Sequence, residues 1–265
     1  MSGVQLWTTA AIVVAALVLI GLETTFPYNP RSGLLRDGFW NDLVLYCLVQ
    51  SYVLGLAIAK LVSWIDGHTG LSRLHLVSGW SIAAQLAFFI VTHDFYIYLF
   101  HRLQHAVPWL WRLHEAHHSP RMVDWLTGAR SHSLEILINQ TVEFAPLVLL
   151  GASPKVIVLK GAVSAIWGMF IHSNIDVRLG RLQYFINGPE MHRWHHANDA
   201  RSYGKNFSTK LAVWDWLFGT AFFPNRAERA SGYGLTDETF PEEFPAGYFL
   251  QHAAAFRGST DANER

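Results

Sequence analysis

The chain has 265 residues, 51% of them hydrophobic and only 15% charged, against the roughly one-quarter charged residues of soluble domains. Its 20 Lys and Arg balance 20 Asp and Glu, which excludes the basic field that nucleic-acid binding requires. The single cysteine, Cys47, excludes an intrachain disulfide.

Apolar length organises the rest. Val4 to Leu22 is long enough to cross a hydrocarbon core, which takes about 20 helical residues. No Lys or Arg precedes Arg31, so the basic start of a cleaved signal peptide is missing and this stretch is read as a retained membrane helix. A second span is expected over Trp40 to Ile65, with Lys60 placed to extend its stem toward the interface. A third runs from near Leu74 to Phe100 and leads directly into a histidine-rich stretch. Leu134 to His172 forms a fourth unit, broken by GASPK at 151–155, and predicts a helical hairpin that dips into the membrane and returns.

Counting crossings puts segment 23–38 and everything after Phe100 on one side. Of the basic residues, only Lys60, Arg73, Lys155 and Lys160 fall toward the other, so the positive-inside rule makes the histidine side cytoplasmic. The expected fold is all-α: an integral membrane helical bundle of three spans plus a helical hairpin, with a cytoplasmic histidine-rich metal-binding cap. One membrane-embedded domain covers 1–265, with N-terminal membrane helices over 1–75, a core over 76–224 and a tail over 225–265. The tail is read as a solvent-facing cap ending in a disordered GSTDANER.

Three clusters carry the chemistry: HRLQH at 101–105, HEAHH at 114–118 and HRWHH at 192–196. Residues three and four apart share a helix face, so His101 with His105, His114 with His117 and His118, and His192 with His195 and His196 each form a multidentate imidazole surface. Without a metal, so many imidazoles would leave nitrogens unsatisfied and would repel one another when protonated. Eight histidines exceed the four ligands of one zinc-like site and imply at least two ions; imidazole suits iron, zinc and copper alike. The isolated His68, His75 and His252 are read as solvated or interfacial.

DFYIYLFHRLQH, LHEAHHS and PEMHRWHH, in this order beside membrane spans, resemble the histidine boxes of the fatty acid hydroxylase and sterol desaturase superfamily of membrane di-iron oxygenases. FIHSNI at 170–175 and VWDWLFGT at 213–220 are similar to later landmarks of that superfamily, and the resemblance covers about 80–225. It implies two iron ions, replaceable by zinc on purification, held by His101, His105, His114, His117, His118, His192, His195 and His196. Two irons ask for more than eight ligands, and His172, which the returning arm of the hairpin delivers to the same face, is the expected ninth. His132 matches a recurrent position of the superfamily, and its role, structural, substrate-side or ligating, stays open.

The resemblance also implies dioxygen, a fatty acyl or sterol-like lipid taken from the bilayer, and a separate electron donor, cytochrome b5-like or ferredoxin-like, since the chain carries no flavin fingerprint, ferredoxin cysteines or haem domain. Hydroxylation and desaturation begin with the same hydrogen abstraction, and the motifs do not separate them. Two other classes stand beside this one: a bis-histidine haem electron carrier, and a zinc-dependent membrane hydrolase with Glu115 of HEAHH as its base.

Asp94, Tyr98, His101 and His105 are spaced by four, three and four, along one stripe of the third helix. A carboxylate one turn below the ligands is expected to accept an imidazole N–H and orient it, the alternative being a bond to a Tyr or to His93. Glu135 and Glu143 on the hairpin are assigned no role; a packing pair with an Arg is one reading of either. Trp214 and Trp216, flanking Asp215, form either a lid or interfacial anchor over the site, or ordinary helix packing.

Overall fold

The computed structural model describes residues 3–30, 35–224, 228–230, 232–235 and 244–257. Among them the regular secondary structure is all helical, apart from two isolated bridges, Pro27 to Ile175 and Ala197 to Tyr233. The helices are α1 (Gly3–Thr25), α2 (Ser51–Thr69), α3 (Ile82–Ala106), α4 (Pro108–His118), α5 (Ser133–Leu149), α6 (Pro154–His172), α7 (Pro189–His195), α8 (Val213–Leu217) and α9 (Tyr248–Ala254). The GSTDANER segment lies outside the described residues.

Four helical stretches are long and apolar enough to cross a membrane: Gly3–Thr25, Asn41–Thr69, Ile82–Ala106 and Pro154–His172. Local chemistry fixes their ends. Gly70 takes a left-handed φ of 63° to close α2, and the Ser81 hydroxyl accepts the Ala84 N–H to open α3. Pro108 starts α4 where a missing N–H costs nothing.

The expected second span is one continuous helix, but its first ten residues, Asn41–Gln50, are wound as a π-helix. Asp42, Tyr46 and Gln50 are all buried there. The wider turn of an i→i+5 ladder brings a four-residue step closer to a full turn, which aligns these three polar side chains on one inward line. Gln50 Nε2 donates to the Ser131 carbonyl at 3.0 Å, and the Tyr46 hydroxyl donates to Gln251 Oε1 at 2.7 Å.

The hairpin of α5 and α6 reaches the full depth of the bundle. At its turn, Val77 N–H donates to the Leu150 carbonyl (3.1 Å) and Ser153 N–H to Gln85 Oε1 (2.9 Å), so the turn sits where α3 begins. Val77, Phe89, Leu147 and Val156 close a small core at that end. At the other end, the Glu23 carboxylate of α1 accepts the N–H groups of Trp125 (2.8 Å) and Asn174 (2.7 Å). The ends of α1, α3 and α6 and the start of α5 therefore converge around α4 and α7.

Two charged residues depart from expectation. Lys160, placed by sequence toward the opposite surface, is fully buried and bonds Glu143 at 2.5 Å. Glu143 thus pairs with Lys160 rather than an Arg, and also accepts from Ser164 at 2.7 Å, while Lys160 Nζ lies 3.3 Å from His93 Nδ1. A charge buried between apolar helices persists only when neutralised in this way. The described part of the tail is also more than a solvent-facing cap. Its α9 docks on the π-helical segment and α4, with Tyr248 N–H donating to Asn41 Oδ1 and Arg112 to the Ala254 carbonyl, and Gln251 and Ala254 are buried.

Candidate metal centre

Nine histidines converge in two adjoining groups, in each of which the candidate ligand atoms all lie within 4.8 Å of one another. One group is His101, His105, His114, His118 and His195; the other is His117, His172, His192 and His196. Helical geometry explains the division. His101 and His105 from α3, and His114 and His118 from α4, are i,i+4 pairs that look the same way, into the first group. His192 and His196 at the end of α7 are the matching pair of the second group. The i+3 residue of each HxxHH motif, His117 or His195, crosses to the other group.

Hydrogen bonds fix the tautomers. A carbonyl only accepts, so the Nδ1–H donates in His101 to the Phe207 carbonyl (2.8 Å), in His117 to Arg130 (3.0 Å), in His172 to Gly168 (2.8 Å) and in His195 to Lys205 (2.8 Å). His114 Nδ1 pairs with Glu135 Oε1 at 2.9 Å. Their Nε2 atoms are then bare lone pairs. In the first group all five Nε2 atoms are buried without a hydrogen-bond partner. In the second, His172 Nε2 lies 3.3 Å from His117 Nε2 and 2.8 Å from His192 Nε2, and His196 Nε2 lies 3.2 Å from His192 Nε2. Between His117 and His172, whose tautomers are fixed, two lone pairs face one another with no proton between them, the arrangement a cation resolves.

The electrostatics agree. Burial first, and the neighbouring imidazoles second, hold His114, His117, His118, His192 and His196 well below the ordinary imidazole range. His195 is depressed for the same reasons, opposed by its bond to the Lys205 carbonyl. These rings are neutral near pH 7, the state that ligates metal. A porphyrin plane between any facing pair would pass through the other imidazoles of the group, so the geometry does not suit a bis-histidine haem. Glu115, the base of the hydrolase alternative, belongs to neither group.

Supports reach the centre from the whole chain. The Arg130 guanidinium, whose own carbonyl receives His117, is clamped by Asp42 at 2.8 and 2.9 Å. Asp42 also accepts from Arg36, which pairs with Asp124 at 3.0 Å. Arg193 fixes α7 by donating to the Ser173 and Ile175 carbonyls, both at 3.0 Å, and by stacking on Tyr28. Gly128 is a close approach: a Cβ there would lie 2.7 Å from His172 Nδ1. A cavity of about 160 Å³ opens beside the first group, lined among others by His105, Trp111, His118, His195, Tyr203 and Leu235.

One expectation is corrected and one open role is filled. Asp94 meets no imidazole, Tyr or His93. Its oxygens accept Thr209 Oγ1 (2.8 Å), the N–H groups of Lys210 (2.9 Å) and Leu211 (2.8 Å), and Trp214 Nε1 (3.1 Å). It anchors the strand of chain whose Phe207 carbonyl receives His101, because backbone N–H groups brought to that stripe fill its acceptor positions. His132 stands outside both groups and caps α5: its Nδ1 accepts the Leu134 N–H at 3.1 Å, and Nε2 faces the His252 carbonyl at 3.3 Å. His252 is accordingly half-buried, with Nε2 accepting the Ser133 N–H at 3.0 Å.

Sequence reasoning left Glu135 without a role and read Asp215 only as the residue between two tryptophans. Asp215 accepts the N–H groups of Phe207 and Ser208, both at 2.9 Å, and so shares with Asp94 the anchoring of that strand. Its position between two tryptophans carries no signal of this, whereas Glu135, three residues after His132 at the start of a helix, at least lies near the second cluster in sequence.

Known proteins bear the same stamp. Residues 86–220 match the fatty acid hydroxylase family. The chain is 30% identical over 258 residues to the ornithine lipid hydroxylase OlsE of Rhizobium tropici, covering 95% of this chain and 76% of that protein. It is 33% identical over 143 residues to human alkylglycerol monooxygenase, covering 54% of this chain but 31% of that protein. Against rat methylsterol monooxygenase 1 the identity is 32% over 134 residues, covering 49% of this chain and 44% of that protein. No solved structure matches. With its membrane-length helices and paired histidine groups in the matched segment, the chain belongs to the fatty acid hydroxylase family and is an oxidoreductase of that family.

Proposed function

We propose that the chain is a membrane di-iron oxygenase that hydroxylates or desaturates a fatty acyl or sterol-like lipid, acting as one membrane-embedded domain. The observation that carries this is the pair of adjoining, buried histidine groups, the first with all five Nε2 atoms unpartnered and the second with its Nε2 atoms turned toward one another. Five nitrogens would hold one iron (His101, His105, His114, His118, His195) and four the other (His117, His172, His192, His196). Bound there, the irons supply the activation of dioxygen that breaking an unactivated C–H bond requires.

The protein's part is to orient and to exclude. Glu135 and the carbonyls of Arg130, Gly168, Lys205 and Phe207 hold the rings in the ligating tautomer. An all-imidazole cage offers no thiolate to oxidise. The cavity against Trp111 and Leu235 gives an apolar chain a place beside the first group. In hydroxylation one oxygen atom enters the substrate, and the other leaves as water with two electrons and two protons. The electrons come from a separate donor, cytochrome b5-like or ferredoxin-like. Ornithine lipid, alkylglycerol and methylsterol in the relatives' names support a lipid substrate, and those names favour insertion of oxygen. The excess of basic residues on the histidine side supports a cytoplasmic site.

The test is mass spectrometry of lipid extracts from cells carrying the protein or its His195→Ala variant. A gain of one oxygen atom that depends on His195 is hydroxylation, and a loss of two hydrogens is desaturation. Identical lipid profiles, in cells supplied with the donor and with the metal-loaded protein present, would overturn the proposal.

A further inference from the structure

Six large apolar side chains crowd one patch of the cap: Leu182, Tyr184 and Phe185 on the 3₁₀ turn of Gly180–Tyr184 and just beyond it, and Trp216, Leu217 and Phe218 on α8 and its end. Every one is exposed, Leu217 at 69% and Phe185 at 63%. Trp216 joins the two pieces, with Nε1 donating to the Gln183 carbonyl at 2.9 Å and its ring 4.6 Å from that of Tyr184. On a water-facing lid such a patch would be a liability.

Its depth says otherwise. The strand of chain leading into α8 is tied to residues inside two membrane-length helices: Asp94 of α3 accepts from Lys210 and Leu211, and Trp167 of α6 donates to the Thr209 carbonyl at 3.0 Å. Asp94 lies seven residues below His101 and Trp167 five below His172, about 10 and 7 Å along their helices. The end of α6 is level with the end of α1, because Glu23 holds the Asn174 N–H. Residues 209–218 are therefore sunk below the level at which α1 and α6 leave the bundle.

Irregular backbone at that depth must find its hydrogen bonds within the protein. It does so here. Phe207 and Ser208 N–H go to Asp215, the Phe207 carbonyl receives His101, Asn187 donates to the Ser208 and Lys210 carbonyls, Trp167 to the Thr209 carbonyl, and Asp94 takes the Lys210 and Leu211 N–H groups. The backbone is satisfied inward while the side chains of the patch face outward. Exposed Arg102 and Arg181 accompany them, Arg102 one turn nearer the metal centre than Tyr98, on which Phe218 stacks.

We infer that this patch is an insert of the cap into the lipid bilayer, lying in the plane of the membrane with its six apolar side chains among the acyl chains of the leaflet on the metal side. Its continuity with α3 and α6 at membrane depth is what selects lipid as the occupant. Through the Phe207 carbonyl the same strand touches a histidine of the centre, so the catalytic cap is seated in the leaflet rather than standing above it.

The experiment places single cysteines at Leu217, Phe185, Leu17 of α1 and Arg201 of the cap surface, in a Cys47→Ser background. Each full-length variant is labelled with bimane and reconstituted in phosphatidylcholine vesicles with or without nitroxide-labelled phosphatidylcholine. Leu217 and Phe185 labels should be quenched several-fold more than the Arg201 label, as the Leu17 label is, and their thiols should resist a charged maleimide. Quenching at the Arg201 level with ready maleimide reaction would overturn the inference. So would labels reached by neither lipid nor water, with crosslinks between two chains, which would make the patch a self-association surface. Should these cysteine variants misfold, a diazirine lipid applied to the unmodified protein decides: crosslinks at 182–185 and 216–218 support the insert, and their absence beside crosslinked α1 refutes it.

Discussion

His117 and His118 are chain neighbours on α4, yet one belongs to the four-histidine group and the other to the five-histidine group. Adjacent helical residues diverge by about 100°, so they cannot easily serve one ion but can straddle two. His195 and His196 do the same from α7, with the assignment reversed. Loss of a ligand should hurt the smaller group more. His172→Ala leaves three imidazoles there, whereas His118→Ala leaves four in the other. Metal analysis of purified protein should show about one of two equivalents lost in His172→Ala and a smaller loss in His118→Ala. In metal content His117→Ala should follow His172→Ala and His195→Ala should follow His118→Ala, and both should reach the membrane in normal amounts while losing more than about 100-fold of activity.

Glu135 carries no ligand atom, but it fixes the His114 ring from behind. Glu135→Gln keeps size and can keep one hydrogen bond, while Glu135→Ala removes it. Outer-sphere partners of this kind are worth roughly 10- to 100-fold in metal affinity or activity. The Ala variant should fall in that range and the Gln variant above it. Equal metal affinity and turnover in the wild type and both variants would show that His114 needs no such partner.

Asp94→Asn should act on the fold before the chemistry. The amide keeps one acceptor oxygen where the carboxylate serves two backbone N–H groups, a hydroxyl and an indole N–H. A stranded buried N–H costs about 1–3 kcal/mol, so thermal unfolding in detergent should shift down measurably. Bound metal should remain near the wild-type amount. Unchanged unfolding with lost metal would restore the imidazole-orienting role expected from the sequence.

The Lys160 and Glu143 pair makes a separable prediction. Lys160→Met strands a carboxylate among apolar helices and should destabilise by about 3–5 kcal/mol. Adding Glu143→Gln removes the stranded charge and should recover much of that loss. A double variant no more stable than the single one would mean that packing, not charge, sets the cost.

The metal-free protein should be acid-sensitive. The α4 and α7 histidines are depressed in the folded state from an ordinary value of 6.5, so below that pH the unfolded chain binds more protons than the folded one. Their contribution to stability is full above 6.5 and is lost as the pH falls through the lower folded values. Melting of metal-stripped protein from pH 7.5 down to 5 should show the midpoint falling only in the lower half of that range.

Much of this was legible in the sequence, because it depends on local spacing. Apolar length gave α1, the helix through α2, α3 and the α5–α6 hairpin, and the i, i+3, i+4 pattern brought eight histidines to one end. His172 followed from the returning arm of the hairpin. Residues whose partners are remote stayed hidden: Asp94 and Lys210 are 116 positions apart, and Arg130 and Asp42 are 88. Nothing near Lys160 says that Glu143 is its counter-ion, because the pairing depends on how two antiparallel helices align.

The segment that matches the family begins at residue 86, but the glutamate that ends α1 and the aspartate that opens the π-helix both brace loops of the centre. The first two helices are thus scaffolding as well as anchors. A fragment cut at the family boundary would leave the Trp125 and Asn174 amides and the Arg130 guanidinium without their carboxylates. Chimeras that exchange N-terminal helices between relatives should therefore inherit activity only when these two acids travel with them.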